Sequence, residues 1–267
     1  MKKHILLFSF LFIGTISFTQ DTTSTLSKKE ERRLERRNRV NAVIKQEEEG
    51  VLAYTRQNSF GVQIRTDGYG FFYEHGRTQT PRFTNLYLIE ITEIKHRKEE
   101  KATQTDGFFS SSYIYGKINN FYQAKLGFGQ QYILGQKGNK NGIAVMGIYQ
   151  GGLSMGLLRP YYLNVNDGTS SARDIKYESV DSVAFLTGRI NGSSSFGKGW
   201  NELKIRPGAF VKGALRFDFG RYNEMISAVQ IGFSVEGYAQ KIPLMVYNEP
   251  ERLFYQAHLA FLFGRRK

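Results

Sequence analysis

The chain has 267 residues, 28 of them glycine, 5 proline and none cysteine, with 14% aromatics. The missing cysteine excludes a disulfide framework, a thiolate metal site and a cysteine nucleophile, and the glycine- and aromatic-rich mix favours strands and turns over a helical protein. A formal charge of +13 points to anionic partners such as lipid phosphates, glycans or acidic proteins.

The first stretch, MKKHILLFSFLFIGTISFTQ, joins a basic start (Lys2, Lys3) to an apolar run from Ile5 to Phe18. Small residues at Ser17 and Thr19 suit cleavage near Gln20. This pattern predicts a secretory signal over residues 1–19, too short in its apolar run to span a bilayer as a helix. Export removes nucleic acid from the expected partners.

Residues 20–58 read as a basic helical segment and linker on the periplasmic side. Ser27 and Glu30 have capping-box spacing, and Gly50 suits a C-terminal stop. The helix expected over 27–49 carries Lys28, Lys29, Arg32, Arg33, Arg36, Arg37 and Arg39 in its first half and Glu47–Glu49 in its last turn. Both placements oppose the helix dipole. A solvated helix is one reading; a docking segment for an anionic surface or partner is the other. Leu34, Val40, Val43 and Ile44 are too few for deep insertion into lipid.

From Ser59 the period becomes two. SFGVQIRTD sets Phe60, Val62 and Ile64 against Gly61, Gln63 and Arg65, and Asp67-Gly68 is a hairpin signal. Similar alternation predicts strands near 69–76, 83–96, 120–134, 142–159, 203–220, 224–240 and 252–264. In LKIRPGAFVKGALRFDFG (203–220) one face is apolar from Leu203 to Phe219, and the other carries Lys204, Arg206, Lys212, Arg216 and Asp218. Most of these strands are long enough to cross a bilayer at a tilt, where about 9–11 residues suffice. The mean hydropathy of −0.41 does not oppose this, because alternation hides a lipid face in the average.

The connections sort by length. Those at 77–83, 135–142 and 220–224 are short; those at 97–119 and 160–200 are long and read as loops, while on the same side the last connection is intermediate and only the first, at Asp67-Gly68, is short. Short turns on one side and long loops on the other is the rule of outer-membrane barrels, with both chain ends on the periplasmic side. Phe217, Phe219, Tyr222, Tyr132, Phe261 and Phe263 then fall near the periplasmic strand ends, and Tyr113, Tyr161, Tyr162 and Trp200 near the outer ends, as aromatic girdles would. The expectation is an all-β chain: an eight-stranded antiparallel transmembrane β-barrel over 59–267, preceded by a short periplasmic helix.

The signal ending SFTQ, the segment EEEGVLAYTRQNSFGVQIRTDGYGFFYEHGR, the strand LKIRPGAFVKGALRFDFG and the terminal LFYQAHLAFLFG together resemble small outer-membrane β-barrel proteins of Bacteroidota-type bacteria. The resemblance implies an outer-membrane location and carries no motif for an activity. The ending Gly264-Arg-Arg-Lys departs from the common aromatic last residue.

Inside so narrow a barrel, charges on the polar face must pair. Glu90, Lys212, Arg216 and Glu236 are the expected members of a lumen network, with Arg65, Glu74, Lys125, Arg206 and Asp218 on the same face. No cofactor is expected. His75, His96 and His258 lack metal-ligand spacing, and NVNDG (164–168) lacks the carboxylates of a calcium loop. Gly127-Phe-Gly129 lies within a strand and relieves crowding rather than binding nucleotide. The leading functional expectation is a non-enzymatic anchor or accessory subunit in the outer membrane, acting through its helix and outer loops and partnered by membrane lipid and a periplasmic or outer-membrane complex. One alternative is a lipid A-modifying enzyme using His96 and Ser110–Ser112. A second is a narrow channel, and a third is a soluble lipocalin-like binder.

Overall fold

The computed structural model describes residues 28–48, 54–106, 109–139, 141–166, 172–178, 180–221 and 224–267. The signal sequence, Ser27, Gly50, Asp167, Gly168 and Tyr222 lie outside the described residues. The chain separates into two compact units after Val43. Helix α1 (Lys28–Glu48) is treated by itself.

Eight strands close a barrel: β1 (Arg56–Arg65), β2 (Gly68–Thr78), β3 (Phe83–Ile94), β6 (Asn119–Gly135), β7 (Ala144–Pro160), β11 (Lys204–Asp218), β12 (Met225–Ile242) and β13 (Glu251–Arg266). Every pairing is antiparallel, and β1 closes on β13 from Gln57↔Arg266 to Arg65↔His258. The backbone N–H groups of Thr55 and Arg56 both donate to the Lys267 carbonyl, so the first and last strands meet at the end with the short turns. β1 begins at Arg56, three residues before the alternation at Ser59.

Burial alternates residue by residue, and it runs opposite to a soluble protein. Phe60, Leu153 and Val211 are 66%, 73% and 67% exposed on the outside, whereas Arg216, Glu74 and Glu236 are 1%, 0% and 1% exposed inside. Apolar side chains sheathe the barrel, and ions sit in its core.

The lumen is filled along its length. At the turn end Tyr54 packs on Ile133, Ala144 and Met146. Midway, Phe72, Leu88 and Phe210 form an apolar wall beside the charges. At the far mouth Ile94, Phe121, Leu158, Tyr238, Ile242, Leu244, Met245 and Phe254 form a cap. Gly61 makes room for this packing, since a side-chain carbon there would fall within the Phe72 ring.

The two long connections are not loops. The first holds a hairpin, β4 (Lys101–Asp106) with β5 (Phe109–Ile114). The second folds into a three-stranded sheet ordered β10 (Arg189–Ser193), β8 (Tyr162–Asn166) and β9 (Ala172–Lys176), with a short helix α2 (Ser182–Thr187). Leu163, Val165, Ile175, Phe185 and Ile190 give this sheet its own core. The hairpin joins it through the Ser111 hydroxyl, which donates to the Asn191 carbonyl, and the Ile114 N–H, which donates to the Tyr161 hydroxyl at 3.1 Å. Together they make a folded head on the far rim.

The head corrects the expected outer girdle. Tyr113 and Tyr161 pack against the core of the small sheet rather than ringing the barrel. The Tyr162 hydroxyl donates to Glu202 at 2.6 Å, and Trp200 stacks on Tyr122 with ring centres 5.6 Å apart. Tyr113 and Tyr161 add bulk to a sheet of five-residue strands that has little aliphatic surface of its own, whereas Trp200 stays against the barrel. At the turn end Phe219, Phe261 and Phe263 do face outward and exposed, and Phe83 packs on Tyr132 at 4.7 Å.

Candidate functional site

The densest chemistry lies in the lumen. Arg65 of β1, Glu90 of β3, Lys125 of β6, Lys212 of β11 and Glu236 of β12 converge because each occupies an inward position of its strand. Arg65 Nη2 donates to Glu236 Oε1 at 2.8 Å. Lys125 bridges both acids, donating to Glu90 at 3.0 Å and pairing with Glu236. Lys212 Nζ donates to the other Glu90 oxygen at 3.0 Å. Gln123 adds its amide to Glu236 and its carbonyl to Arg65. With Asp67, 3.5 Å from Arg65 Nε, three cations face three carboxylates. So balanced a cluster has ion-pair and hydrogen-bond partners for its charges away from water.

Arg216 stands in a second cluster. It pairs with Glu74, and donates to Gln230 at 2.8 Å and Gln131 at 3.2 Å. Gln150 donates to the other Glu74 oxygen at 2.9 Å. A third group, nearest the turns, pairs Arg266 with Asp218 under the Tyr54 ring. Of the four residues singled out from sequence, the structure therefore groups Glu90, Lys212 and Glu236 and sets Arg216 apart. Arg65, Lys125 and Glu74 were legible as inward-facing but not as the partners that complete the clusters.

The basic helix gives a different kind of surface. Arg32, Arg33, Arg36 and Arg37 are all exposed. At about 100° per residue they share roughly 140° of the helix circumference, with Glu30, Glu31 and Glu35 on the remainder. The side chains of Lys28, Lys29 and Arg39 lie outside the described residues.

Among the described residues no hydrogen bond joins His96 to Ser111 or Ser112. Ser111 is held by the Asn191 carbonyl, while His96 Nδ1 accepts from the Lys98 N–H at 3.2 Å. The Ser110 side chain lies outside the described residues. His75 faces outward against Asn58, His258 inward near Gln230, and among the described residues no cluster of His, Asp and Glu could hold a metal.

In the head, Lys176 pairs with Glu178 at 2.8 Å and with Glu202, and Lys198 pairs with Asp174. The Lys176 and Tyr162 hydrogen bonds hold the Glu202 carboxyl below its ordinary value, and the Lys198 and Asn164 bonds do the same for Asp174. Hydrogen bonds to Glu178 and Glu202 raise Lys176 above the usual lysine value. The lowered carboxyls contribute stability that is full above their unfolded values near 4 and is lost as pH falls through their folded values. The raised lysine contributes below its unfolded value near 10.4 and loses that contribution as pH rises through its folded value. Trp200, the single tryptophan, reports on this end. Its emission is expected to stay constant from about pH 5 to 9 and to shift below about pH 4, with no transition near neutrality.

No protein-family model matches the chain, and no curated protein matches it. Solved structures that align with it include two outer-membrane proteins. The N-terminal β-barrel domain of OprF from Pseudomonas aeruginosa is 10% identical, over 78% of this chain and 96% of that one, with a TM-score of 0.32. Ail, the attachment invasion locus protein of Yersinia pestis, is 6% identical, over 79% and 96%, with a TM-score of 0.34. At TM-scores this low neither likeness bears on function.

Proposed function

We propose that this chain is a non-enzymatic outer-membrane protein: a plugged eight-stranded barrel that anchors two interaction elements, the folded head on the outer side and the basic helix on the periplasmic side. The inverted burial carries the reading. An apolar exterior with a core of paired ions is stable where lipid surrounds the barrel and unfavourable where water does. The lumen supports an anchor over a channel, because ion pairs, glutamines and the apolar cap at Leu244 and Met245 fill it from end to end. The helix presents four exposed arginines within one arc, which suits acidic protein surface or inner-leaflet phosphate.

The test is fractionation of a Gram-negative host expressing the full chain, with a planar-bilayer recording of the purified protein. The protein is expected in the outer-membrane fraction, migrating faster unheated than boiled, and silent in the bilayer. Recovery in the soluble periplasm would overturn the membrane reading. Stepwise conductance would overturn the plugged anchor. Removal of residues 28–48 is expected to release any co-purifying partner without changing the unheated band.

A further inference from the structure

The apolar sheath of the barrel is interrupted on one wall. Outward positions of β3 read Phe83, Asn85, Tyr87 and Ile89, and those of β6 read Leu126, Phe128, Gln130, Tyr132 and Leu134. Each amide has exposed apolar neighbours on both sides along its own strand: Phe83 and Tyr87 flank Asn85, and Phe128 and Leu134 lie either side of Gln130. The outward Asn58 and His75 of β1 and β2 differ, because they adjoin Arg56 and Arg77 at the turn-end rim. On the opposite wall the outward positions within 205–217 of β11, 229–237 of β12 and 253–263 of β13 carry no amide, imidazole or charge.

The two amides belong to one row. Asn85 is the register partner of Gln130, and Gln130 is the partner of Tyr149 on β7. The Tyr149 hydroxyl donates to Gln130 Oε1, and Gln130 Nε2 donates to Asn85 Oδ1 at 3.0 Å. The row stops there. Among the described residues the Asn85 amide N–H groups find no acceptor, and the Tyr149 oxygen receives no donor. Beside the row, Phe83, Tyr132, Gly147 and Tyr149 line a hollow of 680 Å³ in the outer surface, with Arg82 at its turn end.

An amide N–H without an acceptor is unfavourable against hydrocarbon, and polar side chains within a membrane-spanning wall favour contact with protein over lipid. We propose that the wall of β3, β6 and β7 is the contact between two copies of this chain in the membrane. Two copies inserted in the same sense hold each residue at the same depth, so a two-fold axis along the membrane normal brings this row against itself. An axis at Gln130 sets β6 against β6, and β3 of one copy against β7 of the other. The Asn85 amide then donates to the other copy's Tyr149 oxygen, so the open donor and the open acceptor of the row satisfy each other twice. Phe83 of each copy enters the hollow over the other's Gly147. Lipid tails offer neither donor nor acceptor, whereas the row complements its own image. This assignment rests on the barrel lying in a membrane.

The chain has no cysteine, so single introduced cysteines report the contact. With the full chain in phospholipid vesicles, Phe128→Cys on β6 is expected to give a disulfide-linked dimer on oxidation. Leu259→Cys on β13, four strands away around the wall and also exposed, is expected to stay monomeric. Sedimentation in density-matched detergent is expected to show a wild-type dimer that N85L/Q130L weakens about tenfold, the worth of two symmetry-related hydrogen bonds. Leucine suits hydrocarbon better than an amide does, so if lipid alone covers this wall the variant folds at least as well and wild type sediments as a monomer, which would overturn the proposal. Equal cross-linking of both cysteines would mark chance collision and overturn it too. A Phe128→Cys chain that a cysteine-to-amine linker joins only to a different protein in the host membrane would rule out the second copy. Insertion is read separately from the unheated band and co-pelleting with vesicles: failure to insert sinks the membrane reading, whereas an inserted monomer sinks this contact alone.

Discussion

Glu236→Ala is expected to cost about 3–5 kcal/mol of folding stability, because it strands buried cations. Arg65 and Lys125 both pair with Glu236, and Gln123 points its amide at the same carboxylate. Removing that group leaves three cations against Glu90 and Asp67, with no water channel to take up the excess. The shift should appear in urea titration of the unheated band as a lower midpoint at unchanged slope. Charge, rather than lost volume, is the cause asserted, and a second variant separates the two. Glu236→Ala with Lys125→Met restores neutrality while deleting more contacts, yet is expected to be more stable than Glu236→Ala alone. A single variant costing under about 1 kcal/mol would mean that solvent reaches the cluster, contrary to the packed lumen. Glu74→Ala should add to Glu236→Ala almost independently, since among the described residues no ion pair joins Arg216 or Glu74 to the upper cluster.

The eight barrel strands were legible because apolar and polar residues alternate along most of each, and the strands are long, 10 to 18 residues. Alternation gives the face a residue points to, but not its height along the barrel axis. For that reason Glu90, Lys212, Arg216 and Glu236 could be placed inside while their partners could not. Glu90 and Lys125 are direct register neighbours on β3 and β6, a pairing that depends on a hairpin and connection of unknown geometry between them. Arg216 and Glu74 stand on β11 and β2, four strands apart around the wall, and meet only across the lumen. The head was illegible for another reason. Its strands are five or six residues long, set among Ser, Gly and Asn, and its core draws one or two residues from each. Of the aromatics that counted as strand-end rings, Tyr113 and Tyr161 supply bulk to that core, while Trp200 does stack on the barrel's Tyr122.

Val211→Arg decides between lipid and water on the outside of the barrel. Val211 lies mid-way along β11, paired with Val235 and Gly151, and is 67% exposed. In an ordinary soluble barrel, arginine at so exposed a site would change stability by about 0.5 kcal/mol or less. At the middle of a bilayer the same change costs about 2–4 kcal/mol, falling toward zero near the interfaces. Folding measured in vesicles is therefore expected to weaken by that amount. Phe261→Arg, near the turn end of β13, should cost less, because its guanidinium can reach the headgroups. The depth dependence is the decisive part. General damage to the strand would weaken both variants in detergent as well as in vesicles, whereas a hydrocarbon surround penalises Val211→Arg most and only where the bilayer is present. Equal and small effects in vesicles, with the protein still folded, would place water against Val211 and return the apolar band to an unexplained surface.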